Sequence, residues 1–210
     1  MELYLVRHGE SVGNISPGED MPDCPLTDLG EKQANLVVQG LIDAEITHII
    51  SSPLIRTLQT AQPFARKINK PIIVMNNAYE IRELESCKGA RLSDLMEQFP
   101  EARFDEDFEP NGWHYEGYET PSSIMKRAAN IVEQLKQYPE NAKIAMFAHA
   151  GLNQYLIREL IGLTDSIHIH FRQKNTCINW FTIEKEFTRV NKLGDVSHLQ
   201  ELSTTVGKEI

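Results

Sequence analysis

Three shortages in the sequence each exclude a class of protein. Only three cysteines occur, at positions 24, 87 and 177, far apart and in no C-x-x-C pair, which favours a reducing compartment over a disulfide framework. The longest stretch without a charged residue, 144–157, is too short and too polar to cross a bilayer. The N-terminus lacks a signal-peptide layout, because an arginine and a histidine occur by residue 8. We therefore expect a soluble, cytoplasmic protein with no membrane partner.

Basic residues are too few to suggest a polyanionic partner. The sequence has 21 Lys and Arg against 30 Asp and Glu, a net charge of −9, whereas affinity for nucleic acid comes from clustered basic residues. We therefore expect no nucleic-acid partner. With 41% hydrophobic and 24% charged residues, the 210 residues are enough to bury a core without a disulfide or a metal. We predict a single domain over residues 1–210.

Short apolar segments alternate with amphipathic ones along the chain. Strands are predicted at 3–6, 46–50, 72–75, 144–148 and 177–183. Helices are predicted at 28–41, 54–68 and 151–163, and from 122 or 123 to 138. The first four strands are nearly continuous apolar runs, which is typical of strands buried on both faces. The alternation predicts an α/β fold with a mostly parallel sheet and helices on both of its faces.

Residues 76–142 interrupt this alternation. Within them, residues 97–119 contain eight acidic residues, six aromatic residues and a single arginine. A connection this long and this aromatic is typical of a packed lid rather than a linker, so we predict a cap inserted at about 76–142. Trp113 and Tyr115 either line the substrate pocket or pin the lid to the body, and we favour the second role. From about residue 203 onward we predict a frayed tail.

Two arginines, two histidines and a glutamate follow the predicted strands. Arg7 and His8 come at the end of the first strand, and Arg56 comes just after the second. Glu83 follows the third strand and His149 ends the fourth. Each alone would most often be an ordinary surface or core residue. Because ligands usually bind beyond the carboxyl ends of parallel strands, we expect these five side chains to lie together at one edge of the sheet.

This set of side chains suits phosphoryl transfer. A guanidinium is permanently charged and its fork matches phosphate oxygens, so Arg7 and Arg56 suit a dianionic phosphate. A neutral histidine can act as nucleophile through one ring nitrogen, and a second histidine can hydrogen-bond the phosphate oxygens as charge builds. Glu83 can protonate the leaving oxygen and then accept a proton from water. We expect no metal, since the cationic side chains supply the electrostatic stabilisation.

The same segments resemble the motifs of the histidine phosphatase superfamily, also called the phosphoglycerate mutase-like family, over most of the chain. LVRHGES, followed by Asn14, is similar to its first motif, and FAHAG at 147–151 to its second-histidine motif. Further similar segments are PLTDLGEKQA at 25–34, SSPLIRTLQTA at 51–61, IRE at 81–83, Asn175-Thr176-Cys177 and His198-Leu199. The resemblance implies a three-layer α/β/α fold with a mostly parallel central sheet and a cap inserted before the strand that carries the second histidine.

The resemblance also implies a role for each matched residue. His8 would be the phosphorylated nucleophile and Glu83 the proton donor. The phosphate pocket would be formed by Arg7, Asn14, Arg56, His149 and the backbone N–H of Ala150. Residues close to the substrate would be Ser11, Thr27 and Gly30, with Arg172 and Gln173 near the rim of the pocket. The family uses no metal and no organic cofactor, so none is expected here.

Two departures from the family pattern leave alternatives open. Ala150 stands where the second-histidine motif usually has glycine, and a methyl group is tolerated there unless the residue needs a positive φ. The Gly-x-Trp-Glu-Gly run that often follows the acid is replaced by Ser-Cys-Lys-Gly at 86–89. Glu80 and Glu85 are therefore alternatives to Glu83 as the proton donor.

Three functions are compatible with these motifs: a phosphomonoesterase acting on a small phosphorylated metabolite, a phosphoglycerate mutase, and a phospho-ligand binding module of low turnover. A mutase needs extra cations for a second phosphate and a carboxylate, whereas only Lys88 and Arg91 lie near the acid and 97–119 is acidic. The complete set of catalytic residue types disfavours a binding module. We therefore predict a metal-independent phosphoric monoester hydrolase. The sequence leaves its substrate and a homo-oligomeric state open.

Overall fold

The structure is a computed structural model and describes residues 1–16, 23–82, 86–164, 168–200 and 202. In chain order the strands are β1 (Glu2–Arg7), β2 (His48–Ser51), β3 (Ile72–Val74), β4 (Ser86–Lys88), β5 (Ala102–Arg103), β6 (His114–Glu116), β7 (Lys143–Ala148), β8 (Ile178–Ile183) and β9 (Thr188–Asp195). The helices are α1 (Val12–Ile15), α2 (Asp28–Leu41), α3 (Ile55–Ile68), α4 (Leu92–Gln98), α5 (Pro121–Leu135) and α6 (Ala150–Ile161).

A seven-stranded sheet has the strand order β5-β3-β2-β7-β1-β8-β9. The pairs from β5 through to β1 are parallel, and β8 and β9 extend the sheet antiparallel to β1. The prediction of a mostly parallel sheet is confirmed. The five apolar segments of the sequence are β1, β2, β3, β7 and β8, as expected of strands that need apolar side chains on both faces.

Helices pack on both faces of this sheet and form two cores. Successive residues of a strand point to opposite faces, and β1 supplies both cores in this way. Leu5 is buried in a cluster with residues of α5 and α6 such as Leu156. Val6 is buried in the other cluster, with residues of α2 and α3 such as Leu58. Each such side chain contributes about 2 kcal/mol through burial, and the predicted three-layer arrangement is confirmed.

The four predicted helices are α2, α3, α5 and α6, with ends that differ from the prediction by at most three residues. α2 begins after Thr27, whose hydroxyl accepts a hydrogen bond from the N–H of Gly30 at 3.1 Å. α6 ends at Gly162, which has a left-handed φ of 72°. None of the helices in the described part of the chain is both long enough and apolar enough to span a membrane.

The elements that the sequence analysis did not predict are short or polar: α1, α4, β4, β5, β6 and β9. β9 lies at the edge of the sheet and lacks an apolar run, because its two large apolar residues, Val190 and Leu193, are separated by polar residues and are exposed. Within residues 76–142, β5 joins the main sheet beside β3, and α5 packs against α6. β4 and β6 form a separate two-stranded sheet, called the small sheet below. The cap boundary at 76–142 stays a prediction, and the predicted tail lies outside the described residues.

Candidate active site

The register of the parallel strands brings the predicted side chains to one edge of the sheet. Arg7 at the end of β1 pairs with Ala148 at the end of β7, and β2 lies on the other side of β7. The residues that come directly after these three strands are His8, His149 and Ser52. All three are therefore placed at the carboxyl ends of neighbouring parallel strands, where α/β sheets bind ligands.

His8 has a ring whose tautomer is fixed by the backbone. Its Nδ1 lies 2.7 Å from the carbonyl oxygen of Gly9, and because a carbonyl only accepts, Nδ1 carries the hydrogen and donates it. The lone pair is then on Nε2. The backbone N–H of His8 donates to the carbonyl of Ala148 at 3.0 Å, and only 3% of the residue is exposed. The fold thus leaves Nε2 of His8 as the ring nitrogen with a lone pair.

His149 lies beside His8 and is fully buried. The two ring centroids are 5.3 Å apart, with the planes at 61°. Nε2 of His149 is 2.8 Å from Oγ of Ser52, while Nδ1 has no hydrogen-bond partner among the described residues. A buried nitrogen without a partner costs free energy, and it is available to a bound oxyanion. No role for Ser52 is expected from the sequence, although it lies in the SSPLIRTLQTA segment and directly after β2.

Both histidines are neutral in this environment. Burial lowers the pKa of His8 well below 6.5, and Arg56 and then Arg7 lower it further. Burial likewise lowers the pKa of His149 well below 6.5, with Arg56 and His8 as the next causes. A neutral imidazole has the lone pair that nucleophilic attack needs. Burial, with the nearby arginines as a further cause, therefore keeps both imidazoles in the form that has a lone pair.

Arg7 and Arg56 are the buried cations of the site. Only 1% of Arg7 is exposed, and burial lowers its pKa to about 10, so it remains a cation at neutral pH. One guanidinium nitrogen of Arg7 donates to the backbone carbonyl of Gln173 at 2.7 Å. Arg56 is buried at the second position of α3, where the positive end of the helix adds to its charge. Together these groups favour an anion at the strand ends.

Asn14 links the nucleophile loop to the start of β8. Its side-chain oxygen accepts hydrogen bonds from the backbone N–H of Ser11 at 3.1 Å, from Nδ2 of Asn175 at 3.1 Å and from Arg7 at 3.5 Å. Nδ2 of Asn175 also donates to the carbonyl of His8 at 3.3 Å. Asn14 and the backbone carbonyl of Gln173 therefore contact different guanidinium nitrogens of Arg7. The carbonyl of Gln173 belongs to the backbone, so its contact with Arg7 cannot be predicted from residue type.

Ser11, Thr27 and Gly30 hold the loop that follows His8. Gly30 packs so closely that a Cβ at this position would overlap the carbonyl oxygen of Glu10. The hydroxyl of Thr27 lies 2.9 Å from a carboxylate oxygen of Glu10 and donates to it. Ser11 is buried and precedes the first residue of α1. The first turn of α2 thus lies against the backbone just after the nucleophile.

Ala150 and Glu80 meet at the first turn of α6. Ala150 is the first residue of this helix and does not have a positive φ, so the methyl group that replaces the usual glycine causes no backbone strain. The carboxylate of Glu80 accepts hydrogen bonds from the N–H groups of Gly151 at 3.2 Å and Leu152 at 2.9 Å. Glu80 therefore caps α6. The other two candidates for the acid, Glu83 and Glu85, lie outside the described residues.

An aromatic stack extends from the small sheet. Trp113 stacks on Tyr79 at 6.2 Å with the planes at 4°, and on Tyr115 of β6 at 5.9 Å. The guanidinium of Arg127, on α5, lies 4.2 Å from the centre of the Tyr79 ring. Trp113 and Tyr115 thus contact each other and the chain near Glu80. No group of three or more His, Cys, Asp or Glu side chains in the described ranges is arranged to hold a metal ion.

The arrangement resembles that of known phosphoryl-transfer proteins. The chain is 28% identical to phosphoserine phosphatase 1 of Hydrogenobacter thermophilus over the whole of both chains. It is 30% identical to a probable phosphoglycerate mutase, GpmB, of Serratia proteamaculans over 95% of each chain. A mutant phosphoserine phosphatase of Entamoeba histolytica, solved in complex with phosphoserine, superposes with a TM-score of 0.70 at 25% identity. That match covers 94% of this chain and 98% of the other.

The family model of the histidine phosphatase superfamily (branch 1) matches residues 3–196. This range contains the loop of His8, the first turn of α3 and the loop of His149, whose geometry is described above. The predicted phosphoglycerate mutase-like fold is confirmed by the structural match. The chain belongs to branch 1 of the histidine phosphatase superfamily.

Proposed function

We propose that the protein hydrolyses a small phosphomonoester through a phosphohistidine formed on Nε2 of His8. The observation that carries this proposal is the pair of neutral imidazoles 5.3 Å apart, one with a free lone pair, beside two buried arginines. Membership of the superfamily and the phosphatases named among its relatives support a phosphoric monoester hydrolase. The roles of the individual residues are part of the proposal.

In the first step, the lone pair of His8 Nε2 attacks phosphorus and the bond to the leaving oxygen breaks. The transferring group passes through a loose, in-line transition state with charge on three equatorial oxygens. Arg7, Arg56 and Nδ1 of His149 stabilise that charge, because preorganised donors in a buried site cost no reorganisation during reaction. Asn14 and the free N–H of Ala150 at the start of α6 add two further contacts. Glu83 protonates the departing alcohol.

In the second step, water attacks the phosphorus of the phosphohistidine and the P–N bond breaks. Glu83, now a carboxylate, accepts the proton of the attacking water. Inorganic phosphate leaves, and the imidazole of His8 is restored with its lone pair on Nε2. We assign the proton transfers to Glu83 rather than to Glu80, because both carboxylate oxygens of Glu80 already accept backbone hydrogen bonds at the start of α6.

Three arginines near the small sheet are paired with carboxylates, which favours hydrolysis over a mutase reaction, and Lys88 of β4 is exposed. Arg91 forms an exposed ion pair with Asp94 at 3.0 Å. Arg82 and Arg127 both contact the buried carboxylate of Glu119, at 3.8 and 2.6 Å. Arginines that are already neutralised add little to the binding of a second phosphate. A phosphoglycerate mutase remains the second candidate, since relatives bear that name. We infer a small, acidic metabolite as substrate from the phosphoserine complex.

Phosphate release from a panel of phosphomonoesters, in EDTA, tests the proposal. The panel includes p-nitrophenyl phosphate, phosphoserine and 3-phosphoglycerate. We expect release of inorganic phosphate and its loss to background in His8→Ala, while His48→Gln at the opposite end of β2 keeps the wild-type rate. Conversion of 3-phosphoglycerate to 2-phosphoglycerate without phosphate release would make the protein a mutase. Retained turnover in clean His8→Ala would refute the nucleophile.

A further inference from the structure

Asp23 carries a partly buried carboxylate that the proposed reaction does not use. One carboxylate oxygen, Oδ1, accepts a hydrogen bond from the backbone N–H of Ile55 at 2.8 Å. The other, Oδ2, accepts one from the backbone N–H of Ala90 at 3.1 Å. These partners lie 32 residues and 67 residues away in the sequence. One carboxylate therefore joins the first residue of α3 to the loop that follows β4.

On the α3 side, Asp23 provides a helix cap that the local sequence lacks. Leu54, at the cap position of α3, makes no side-chain capping hydrogen bond. Asp23 supplies that hydrogen bond and a negative charge at the positive end of a 14-residue helix. The next residue after Ile55 is Arg56, one of the two buried cations of the active site. The carboxylate thus fixes the helical turn from which Arg56 extends.

The segment after Asp23 is tied to the nucleophile loop and to α3. Cys24 Sγ accepts a hydrogen bond from the N–H of Gly13 at 3.3 Å. The carbonyl of Pro25 accepts one from Val12 at 3.0 Å, and the N–H of Leu26 donates to the side chain of Gln59 on α3 at 2.8 Å. The residues that follow Asp23 are consequently hydrogen-bonded to the loop after His8 and to α3.

On the other side, Ala90 belongs to a tightly packed loop beside the small sheet. The N–H of Gly89 donates to the carbonyl of Trp113 at 2.8 Å. A Cβ at Gly89 would overlap the indole of Trp113, and one at Gly112, which has a φ of 96°, would overlap the carbonyl oxygens of Gly89 and Ala90. The loop of Ala90 is thus packed against the segment of Trp113, whose indole stacks on Tyr79.

The charges around Asp23 suit this link. Burial raises the pKa of Asp23, while the N–H groups of Ile55 and Ala90, then Arg56 and the indole of Trp113, favour the ionised form. The positive charge of Arg56 attracts the carboxylate of Asp23 and lowers its pKa. The carboxylate is therefore a counter-charge to Arg56 as well as an acceptor for two N–H groups.

We propose that Asp23 is a positioning residue that links the small sheet, through Ala90 and Trp113, to the turn of α3 that carries Arg56. The loop after β4 and the turn of α3 that carries Arg56 are then kept at a fixed separation. The consequence for catalysis rests on the proposed function, because that function gives Arg56 its role in the transition state. The structural link between Ile55 and Ala90 through Asp23 can be tested without measuring enzyme activity.

Asp23→Asn is the most informative variant. The amide keeps one acceptor oxygen but places an NH₂ group against a backbone N–H, so one of the two hydrogen bonds is lost with little change in volume. We expect kcat on p-nitrophenyl phosphate to fall roughly ten- to a hundredfold, with KM changed by less. Asp94→Asn, an exposed carboxylate after β4, is the matched control and should keep the wild-type kcat.

Fluorescence of Trp113 gives a readout that does not depend on turnover. The sequence has two tryptophans, so a Trp180→Phe background leaves Trp113 as the sole emitter. Asp23→Asn should shift this emission to longer wavelength and weaken the binding of inorganic phosphate, whereas Asp94→Asn should change neither. Asp23→Ser keeps an acceptor oxygen for one N–H and should behave like Asp23→Asn. If one of the two variants does not fold, the other still tests the link.

The outcomes separate this proposal from the proposed function. If the folded Asp23 variants keep wild-type kcat, Trp113 emission and phosphate affinity, the link is refuted. A fall in kcat without any change in Trp113 emission also refutes it, since the small sheet would then be independent of Asp23. If the wild-type protein has no phosphatase activity but Asp23→Asn still shifts the emission and weakens phosphate binding, the link stands and the proposed function fails.

Discussion

The edge where β1, β2 and β7 end and the segment 76–142 are held together by different kinds of interaction. At the edge, backbone hydrogen bonds set the positions: His8 to Ala148 at 3.0 Å, Ser52 to Phe147 at 3.0 Å and Arg7 to Cys177 at 3.2 Å. The segment also has backbone hydrogen bonds, and in addition side chains hold it together through the Glu119–Arg127 pair and the stack of Trp113 on Tyr79. The edge can therefore leave side-chain atoms for substrate, whereas the segment uses its side chains for its own cohesion.

This difference predicts opposite effects of substitution in the two regions. A changed side chain at the edge should alter the chemistry and leave stability nearly unchanged, because the backbone keeps its hydrogen bonds. A changed side chain in the segment should alter stability first. Changes in rate and changes in the free energy of unfolding can be compared directly, because a tenfold change in rate equals about 1.4 kcal/mol.

Arg7→Lys should have the largest effect, and only on activity. Lysine keeps the charge but lacks the planar fork that reaches both the carbonyl of Gln173 and Asn14. We expect kcat/KM on p-nitrophenyl phosphate to fall about a thousandfold, or about 4 kcal/mol. The free energy of unfolding in urea should change by less than about 1 kcal/mol. The surface variant Arg103→Lys is the control, and an Arg7→Lys enzyme within tenfold of wild type would contradict the prediction.

Glu119→Gln should show the reverse pattern. The carboxylate of Glu119 is buried and accepts two hydrogen bonds from Arg127, at 2.6 and 2.8 Å, and one from the backbone N–H of Arg82. Its loss leaves a buried guanidinium without its counter-charge, which costs about 3 kcal/mol. Urea unfolding should report this loss while kcat on p-nitrophenyl phosphate stays within about threefold of wild type.

Glu133→Gln breaks an exposed pair with Lys136 and provides the control for that experiment. We expect it to change the free energy of unfolding by at most about 0.5 kcal/mol, since exposed ion pairs contribute little. Equal losses in Glu119→Gln and Glu133→Gln would show that the buried pair does not hold the segment. A large fall in kcat in Glu119→Gln would remove the contrast between the two regions.

Glu83→Gln tests whether residues 76–142 contribute a group to the chemistry. A glutamine cannot protonate the leaving oxygen, so a poor leaving group should suffer most. We expect kcat to fall about a hundredfold on an alkyl phosphate such as phosphoserine and less than about tenfold on p-nitrophenyl phosphate. Glu80→Gln, which loses one charge at the start of α6, should lower both rates equally. Equal losses on the two substrates in Glu83→Gln would exclude it as the proton donor.

The sequence predicted the edge well because strand type and strand end are local properties. Apolar runs mark β1 and β7, and the residues after them are His8 and His149. The contact between His149 and Ser52 joins residues 97 positions apart and depends on the register of β2 against β7. Such a register is not encoded in any one segment, so the sequence analysis placed Ser52 in a motif without giving it a partner.

Two further features of the site depend on the backbone rather than on residue type. The carbonyl of Gln173 that orients Arg7 would be present with almost any side chain at that position. The effect of Ala150 in place of glycine depends on φ, which the helical position of the residue decides. Polar edge strands such as β9 were not predicted for a related reason: edge strands need no continuous apolar sequence. Geometry of this kind follows only from the assembled sheet.

The smallest expected effect is on stability below neutral pH, and it again separates edge from segment. His8 and His149 have pKa values lowered well below 6.5 by burial and by Arg56. Between those values and about pH 6.5 the unfolded chain binds protons that the folded chain does not, so stability falls as the pH decreases. Lowering the pH from 7.5 to 5.5 should therefore decrease the free energy of unfolding, and each of the two histidines should contribute to that decrease. In His8→Asn and His149→Asn the decrease should be smaller than in the wild type, and the exposed His114→Asn of β6 serves as the control. Wild-type pH dependence in both edge variants would show that these imidazoles are not held neutral by the fold.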